Sequence, residues 1–301
     1  MAPDTRTLRL AWLAWVVICI VWGTTFLGIR IALDGIPPAL IGGIRYTVAG
    51  VVLAAVLLLR GERLPARANW GGLALLGFLM MVLGNGGVIW AQQWVPSGIA
   101  AVIVASAPFW MSGMEAALPN GDRLTKRTAL GLFIGFAGIV LLAWPSLTAG
   151  GVSGRRFLLG VLAIQIGGIG WSAGSIYSRR HAREENVLMA SALQMLFGGL
   201  MMFALAHLRG EWGSLTFSAR AWWAELYLIV AGSLVGYTSY VFALKHLPVS
   251  TVSLYAYVNP VIAVLVGVWL ANEPFGWRGA GAAVLVMLGV VVVRSKVKGQ
   301  R

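Results

Sequence analysis

The sequence predicts an all-α polytopic membrane protein of ten transmembrane helices, arranged as two inverted five-helix repeats. Three observations lead there. Apolar stretches are long and nearly free of charge, Lys and Arg are divided unevenly between the connections, and residues recur in order between the two halves.

Of 301 residues, 59% are hydrophobic and 11% charged, and the mean hydropathy is +0.82. Soluble domains carry roughly 25% charged residues. The formal charge of +13 sits in short clusters between apolar segments, which reads as a topology signal and not as a nucleic-acid surface. Cys19 is the one cysteine, so a disulfide within the chain is excluded, and no Cys/His spacing suits a metal.

A spanning helix needs about 20 mostly apolar residues. Ten segments qualify: 10–31, 38–60, 70–91, 97–118, 128–144, 157–178, 187–207, 222–243, 249–271 and 278–294. Arg6 and Arg9 precede the first in the manner of a signal peptide. Its apolar run continues to about Leu33 without an early small-residue cleavage site, so it reads as a retained span. With the N-terminus in the cytoplasm, 16 of the 23 Lys and Arg fall on the inner side and 5 on the outer, placing both termini inside.

The halves correspond. IVWGTTFLGIR (20–30) aligns with IGWSAGSIYSR (169–179), pairing Trp22 with Trp171; the same offset pairs Gly50 with Gly199. Further along, Gly84 pairs with Gly236, Pro96 with Pro248, Pro108 with Pro260, Asp122 with Glu273 and Gly138 with Gly289. The repeats are expected at 1–148 and 149–301. Five spans are an odd number, so the second copy enters from the opposite face. This architecture recurs in secondary transporters, with substrate held near the midplane.

WGTTF in the first span, RYTVAG in the second, Pro-x11-Pro across the fourth and ninth, and ANEPF-GWRGAGAAVLVMLGVVVV (271–293) together resemble the drug/metabolite transporter superfamily, EamA type. The resemblance covers essentially the whole chain. Asp122 stands where that family closes its fourth helix with Glu, and Glu115 is additional. The resemblance implies a multi-pass protein of the bacterial inner membrane that exports small organic solutes by alternating access. The aromatic and neutral amino-acid exporters are the nearest group; efflux of drugs or other metabolites is the alternative. A channel or an intramembrane enzyme is a further alternative. No H-E-x-x-H, G-x-S-x-G or Walker lysine motif occurs, so no catalytic residue, metal or cofactor is expected. The expected partners are a small-molecule substrate and the lipid bilayer.

Most of the 14 tryptophans fall near span ends, as aromatic belts do. Trp22, Trp110 and Trp171 fall near span centres and are candidates to line a cavity, where large rigid rings suit an apolar or aromatic substrate. Tyr237, Tyr240, Tyr255, Asn85 and Asn259 are polar groups within spans. Tyr255 and Asn259 share a face, four residues apart. Inter-helix hydrogen bonding is the competing role for these polar groups, and helix packing that for the rings. Arg45, about seven residues into the second span, either snorkels outward or offers a cation to a substrate carboxylate or gate. Glu115 is read as a proton-coupling, interfacial or Arg-paired carboxylate. No central Asp/Glu pair is evident, which gives strong ion coupling little support. Pro108 and Pro260 are expected as twin midplane hinges, the latter freeing the Ala256 carbonyl.

Overall fold

A computed structural model of the chain describes residues 5–119, 126–149, 151–181, 186–247, 252 and 255–294. Asp122 and Pro248 lie outside them, and of Pro108 only the backbone is described. The described residues are all helical apart from connections. Ten helical rods match the ten expected spans. α1 is Thr5–Ala32 and α2 Pro38–Leu59. α3 runs Trp70–Leu76, Gly77–Asn85 and Gly86–Ala91, its middle stretch in π geometry. α4 is Ser97–Val104 followed by Ala107–Ala117. α5 is Lys126–Ala149, α6 Gly151–Arg180 and α7 Val187–Leu208. α8 runs Ala219–Tyr227, a π stretch Leu228–Val235, and Gly236–His246. α9 is Tyr255–Ala271 and α10 Trp277–Arg294.

Six of these rods are long and apolar enough to cross a membrane: those beginning at Thr5, Pro38, Arg67, Ser97, Ser153 and Val187. Ala129–Leu141, Val258–Ala271 and Trp277–Gly289 are apolar but shorter. The outer surface is apolar too, with Leu59, Phe133, Trp223, Trp269 and Trp277 exposed. That suits lipid, where backbone groups must be satisfied within each helix. α5 and α6 extend past the expected 128–144 and 157–178, because hydropathy marks only the apolar core and a helix continues into the polar layer.

The helix ends explain themselves locally. Pro38 occupies the first turn of α2, where no N–H is needed. The Glu211 carboxylate accepts from Ala39 N at 2.8 Å and Leu40 N at 3.3 Å. Asn186 Oδ1 accepts from Leu188 N and Met189 N at the start of α7. Gly61 (φ +85°) and Gly210 (φ +65°) terminate α2 and α7 in the left-handed region, as Gly does one residue beyond a C-cap. They are 149 residues apart, the offset of the repeat.

Glu273 reaches across from the end of α9 to the start of α4. It accepts from Ser97 N (2.9 Å), Ser97 Oγ (2.8 Å) and Gly98 N (3.1 Å). Charge-assisted bonds at a helix N-terminus are the strong kind. Glu273→Ala should therefore lower stability by about 1–3 kcal/mol, read as a lower thermal midpoint in detergent. Glu62→Ala, an exposed carboxylate, should leave the midpoint unchanged.

The duplication is visible in the packing. A Cβ on Gly50 would lie 2.7 Å from Leu196 N, and one on its mate Gly199 would lie 2.5 Å from Thr47 N; Thr47 and Leu196 are themselves 149 apart. A Cβ on Gly138 would lie 2.9 Å from Ala282 O, and one on Gly289 would lie 2.5 Å from Gly131 O. These glycines let α2 meet α7, and α5 meet α10, at backbone distance. α1 packs on α8 and α9 as α6 packs on α3 and α4. Exchanging the halves reproduces these two sets of contacts among the described residues.

Candidate functional site

The expected site residues fall into two clusters, candidate half-sites, one from each exchange-related set of helices. In the first, Trp22 of α1 stands between Tyr240 of α8 (ring centroids 5.3 Å apart) and Tyr255 of α9 (5.1 Å, edge-on). Tyr240 meets Tyr255 at 6.0 Å and Tyr237 at 6.2 Å. The Trp22 indole donates from Nε1 to Gly232 O at 3.0 Å, inside the π stretch of α8. Only a glycine at 236 admits this ring, since a Cβ there would lie 2.4 Å from Trp22 Nε1.

Asn259 is buried beside this set. Its amide nitrogen, turned toward the two carbonyls that face it, donates to Tyr255 O (3.1 Å) and Cys19 O (3.1 Å). The Asn of the Asn-Pro pair thus ties α9 to α1. Pro260 sits inside α9, and α1 passes it closely: a Cβ on Gly23 would lie 2.8 Å from Ile262.

In the second half-site, Trp110 donates from Nε1 to Gln165 Oε1 at 2.8 Å and meets Phe136 edge-on at 5.5 Å. Gln165 Nε2 donates to Ser106 Oγ at 3.2 Å, and Ser172 Oγ to Ala107 O at 3.2 Å. Two polar side chains of α6 therefore serve the backbone break in α4. Trp171 lies against Gly84, where a Cβ would come within 3.3 Å of its ring, just as Trp22 lies against Gly236. Asn85 donates to Met80 O at 3.0 Å. Met80 O and Gly232 O are equivalent carbonyls, 152 residues apart, each in a π stretch and each taking a side-chain donor. Such stretches are rare and frequent at functional sites.

Two expectations change, and the structure chooses among the readings of a third residue. The proline hinges are not twins. α4 is interrupted after Val104, and Pro108 enters the first turn of the segment Ala107–Ala117, where its missing N–H costs no hydrogen bond; Pro260 lies inside α9. Arg45 does not snorkel. It is 5% exposed, and its Nε donates to Ser233 Oγ at 2.9 Å, because α8 covers it. Glu115 proves to be paired: Arg180 meets it at 3.4 Å and also donates to Pro119 O, joining the ends of α4 and α6.

No ring contact links Trp22 to Trp110 or Trp171 among the described residues. A cavity of about 240 Å³ lies elsewhere, between α2, α3, α6 and α7, with Gly86, Trp90 and Met202 on its walls and the Arg209–Glu211 ion pair (3.3 Å) at its rim. None of the expected site residues lines it.

The sequence reading attached no role to Gln165 or Glu225. Each left a signal, a lone polar residue inside an apolar stretch. Glu225 is fully buried, and neither carboxylate oxygen has a side-chain hydrogen-bond partner.

The model of the EamA-like transporter family matches residues 9–144 and again 158–295. The chain belongs to the EamA-like transporter family. Family membership makes it a transporter and not an enzyme. An "Uncharacterized inner membrane transporter YedA" of Escherichia coli strain K12 is 36% identical over 92% of this chain and 90% of its own length. An "Uncharacterized transporter YvbV" of Bacillus subtilis is 26% identical over 99% and 95%. A "Probable terminal-alkyne amino-acid exporter" of Streptantibioticus cattleyicolor is 29% identical over 96% and 94%. A solved structure titled "Crystal structure of protein" superposes with a TM-score of 0.66 at 23% identity, over 94% of this chain and 97% of that one, so the EamA-family chain shares its fold. The two matches of the family model agree with the glycine pairs and the paired π stretches.

Proposed function

We propose that this transporter exports small organic solutes, amino acids with aromatic or neutral side chains foremost, across the bacterial inner membrane. The repeats 1–148 and 149–301 rock against each other in inverted orientation, with both termini in the cytoplasm. The observation that carries this reading is the exchange-related pair of half-sites, Trp22 on Gly236 and Trp171 on Gly84. A site assembled from equivalent elements of two inverted repeats can open to either face by rocking one against the other. The exporter name of the Streptantibioticus cattleyicolor relative and the inner-membrane name of the Escherichia coli relative support the substrate class and the location.

The half-sites offer aromatic faces, tyrosine hydroxyls and amides. This chemistry suits a zwitterion carrying an apolar side chain. Pro108 and Pro260 flex the two crossing helices as access alternates, and Glu115 with Arg180 closes one end. The test is movement of labelled amino acids by purified protein in liposomes. Saturable movement of at least one aromatic or neutral amino acid is expected, and movement of none would remove the substrate class. Trp171→Ala should cut the initial rate roughly tenfold, equivalent to about 1.4 kcal/mol. Pro260→Ala should slow transport while leaving the thermal midpoint close to that of the parent; an unchanged rate would make the proline a tolerated bend.

A further inference from the structure

The first stretch of α8 buries Ala221, Ala224, Glu225 and, one turn on, Leu228. Spaced i, i+3, i+4 and i+7, they form the stripe by which a helix faces a bundle. A carboxylate stands in the middle of it. Opposite, on α2, are Arg45 and Tyr46, both buried. Arg45 interacts electrostatically with Glu225 and with Tyr46, and its guanidinium lies 5.0 Å from the Tyr46 ring centroid. Its Nε is bound to Ser233, not to Glu225. The Glu225 oxygens and the Tyr46 hydroxyl have no side-chain hydrogen bond.

The other titratable groups on the packed elements turn elsewhere. Arg30 of α1 donates to Gln92 O and Gln93 O. The Tyr227 hydroxyl bonds Thr24 Oγ1. Cys19 is buried against α9, and Asp34 and Arg220 are exposed. Arg45 is therefore the cation that Glu225 meets among the described residues.

A buried carboxylate that no side chain hydrogen-bonds is costly when ionised. A proton removes that cost; so does a guanidinium turned to face it in bidentate fashion. Arg45 is bound to Ser233 in this arrangement and interacts electrostatically with Glu225. The choice is wired to the aromatic half-site. Gly232 leaves room for Arg45, since a Cβ there would lie 3.0 Å from Arg45 Nη2, and Gly232 O is the carbonyl that holds Trp22.

We propose that Glu225 is a proton-binding site that couples export to proton movement. The proton adds to the carboxylate to give the carboxylic acid when Arg45 sits on Ser233, and leaves when Arg45 turns to the carboxylate. Displacement of Trp22 by solute shifts the Leu228–Val235 stretch and with it the choice. The coupling, though not the proton site, rests on the transport reading above.

Two measurements on the full chain in liposomes decide it. Infrared difference spectra over the pH range of the folded protein should show a carboxylic-acid carbonyl band that titrates, is lost in Glu225→Gln, shifts in Glu225→Asp and persists in Glu115→Gln. Should Glu225→Gln not fold, the shift in Glu225→Asp carries the assignment. A Glu225 that stays in one protonation state throughout, as a fixed ion pair or a permanent acid, overturns the proposal. A pH-sensitive dye inside the vesicles should report proton movement with each transported amino acid of the panel. That signal should be lost in Glu225→Gln while exchange of labelled for unlabelled amino acid continues. Transport without proton movement overturns the coupling and leaves the transport reading intact. If no amino acid moves, the transport reading and the coupling fail, and the infrared titration still decides the proton site.

Discussion

Replacing Gly50 with alanine is expected to force α2 and α7 apart and lower the thermal midpoint of the purified protein in detergent. The new Cβ would lie 2.7 Å from both Ala192 O and Leu196 N, and neither backbone atom can yield unless its helix moves. Overpacking a tight site costs typically about 1–3 kcal/mol, more where backbone must shift. This seam is the broadest helix–helix contact in the described fold, so the loss should approach the upper end. Gly199→Ala, facing Thr47 N at 2.5 Å and Thr47 Oγ1 from the other side, should do the same. Gly71→Ala is the control: nothing lies within 4 Å of its Cβ, and in the first turn of α3 alanine is at least as favourable as glycine. Its midpoint should hold or rise. Equal midpoints for all three variants would mean that the close approach at Gly50 is absent in the protein.

The largest functional effect is expected at Trp22. Alanine there removes the ring between Tyr240 and Tyr255 and the indole N–H that binds Gly232 O. Initial rates of labelled amino-acid transport, at equal protein per vesicle, should fall by roughly a hundredfold, since both an aromatic contact and a buried hydrogen bond are lost, each about 1–1.5 kcal/mol. Trp22→Phe keeps a ring and removes only the donor, so about a tenfold loss is expected from the bond alone. Trp223, 71% exposed, faces the lipid side, and Trp223→Ala should transport at the parental rate. A Trp22→Ala protein that is folded and fully active would take the ring out of the site.

The expected pairings of Trp22 with Trp171, Gly84 with Gly236, Gly50 with Gly199 and Gly138 with Gly289 meet as an exchange of halves requires. They were legible because close helix crossings tolerate only small residues, and a duplicated crossing keeps them at one offset. Tyr237, Tyr240, Tyr255 and Trp22 were legible as aromatic or polar groups inside spans. That Trp22 spends its N–H on a backbone carbonyl, and that Asn259 bridges to Cys19 O, was not; both depend on which helix stands opposite. Arg45 shows the limit best. Seven residues into a span, it had more reason to reach for the surface than to turn inward. α8 covers it and supplies Ser233, and that settles the matter.

By itself the sequence determined the number and order of the helices, the duplication and the inventory of polar groups within the spans. These follow from apolar length, local capping and recurrence at an offset, all properties of neighbouring or repeated residues. Only the tertiary structure decided the break in α4, the two π stretches and the burial of Glu225 against Arg45. Carbonyls in these irregular stretches find partners that sequence spacing does not reveal, as Gly232 O finds Trp22 and Ala107 O finds Ser172 on other helices. A carboxylate in a span becomes a candidate proton site only when the helix facing it brings one cation and no other partner.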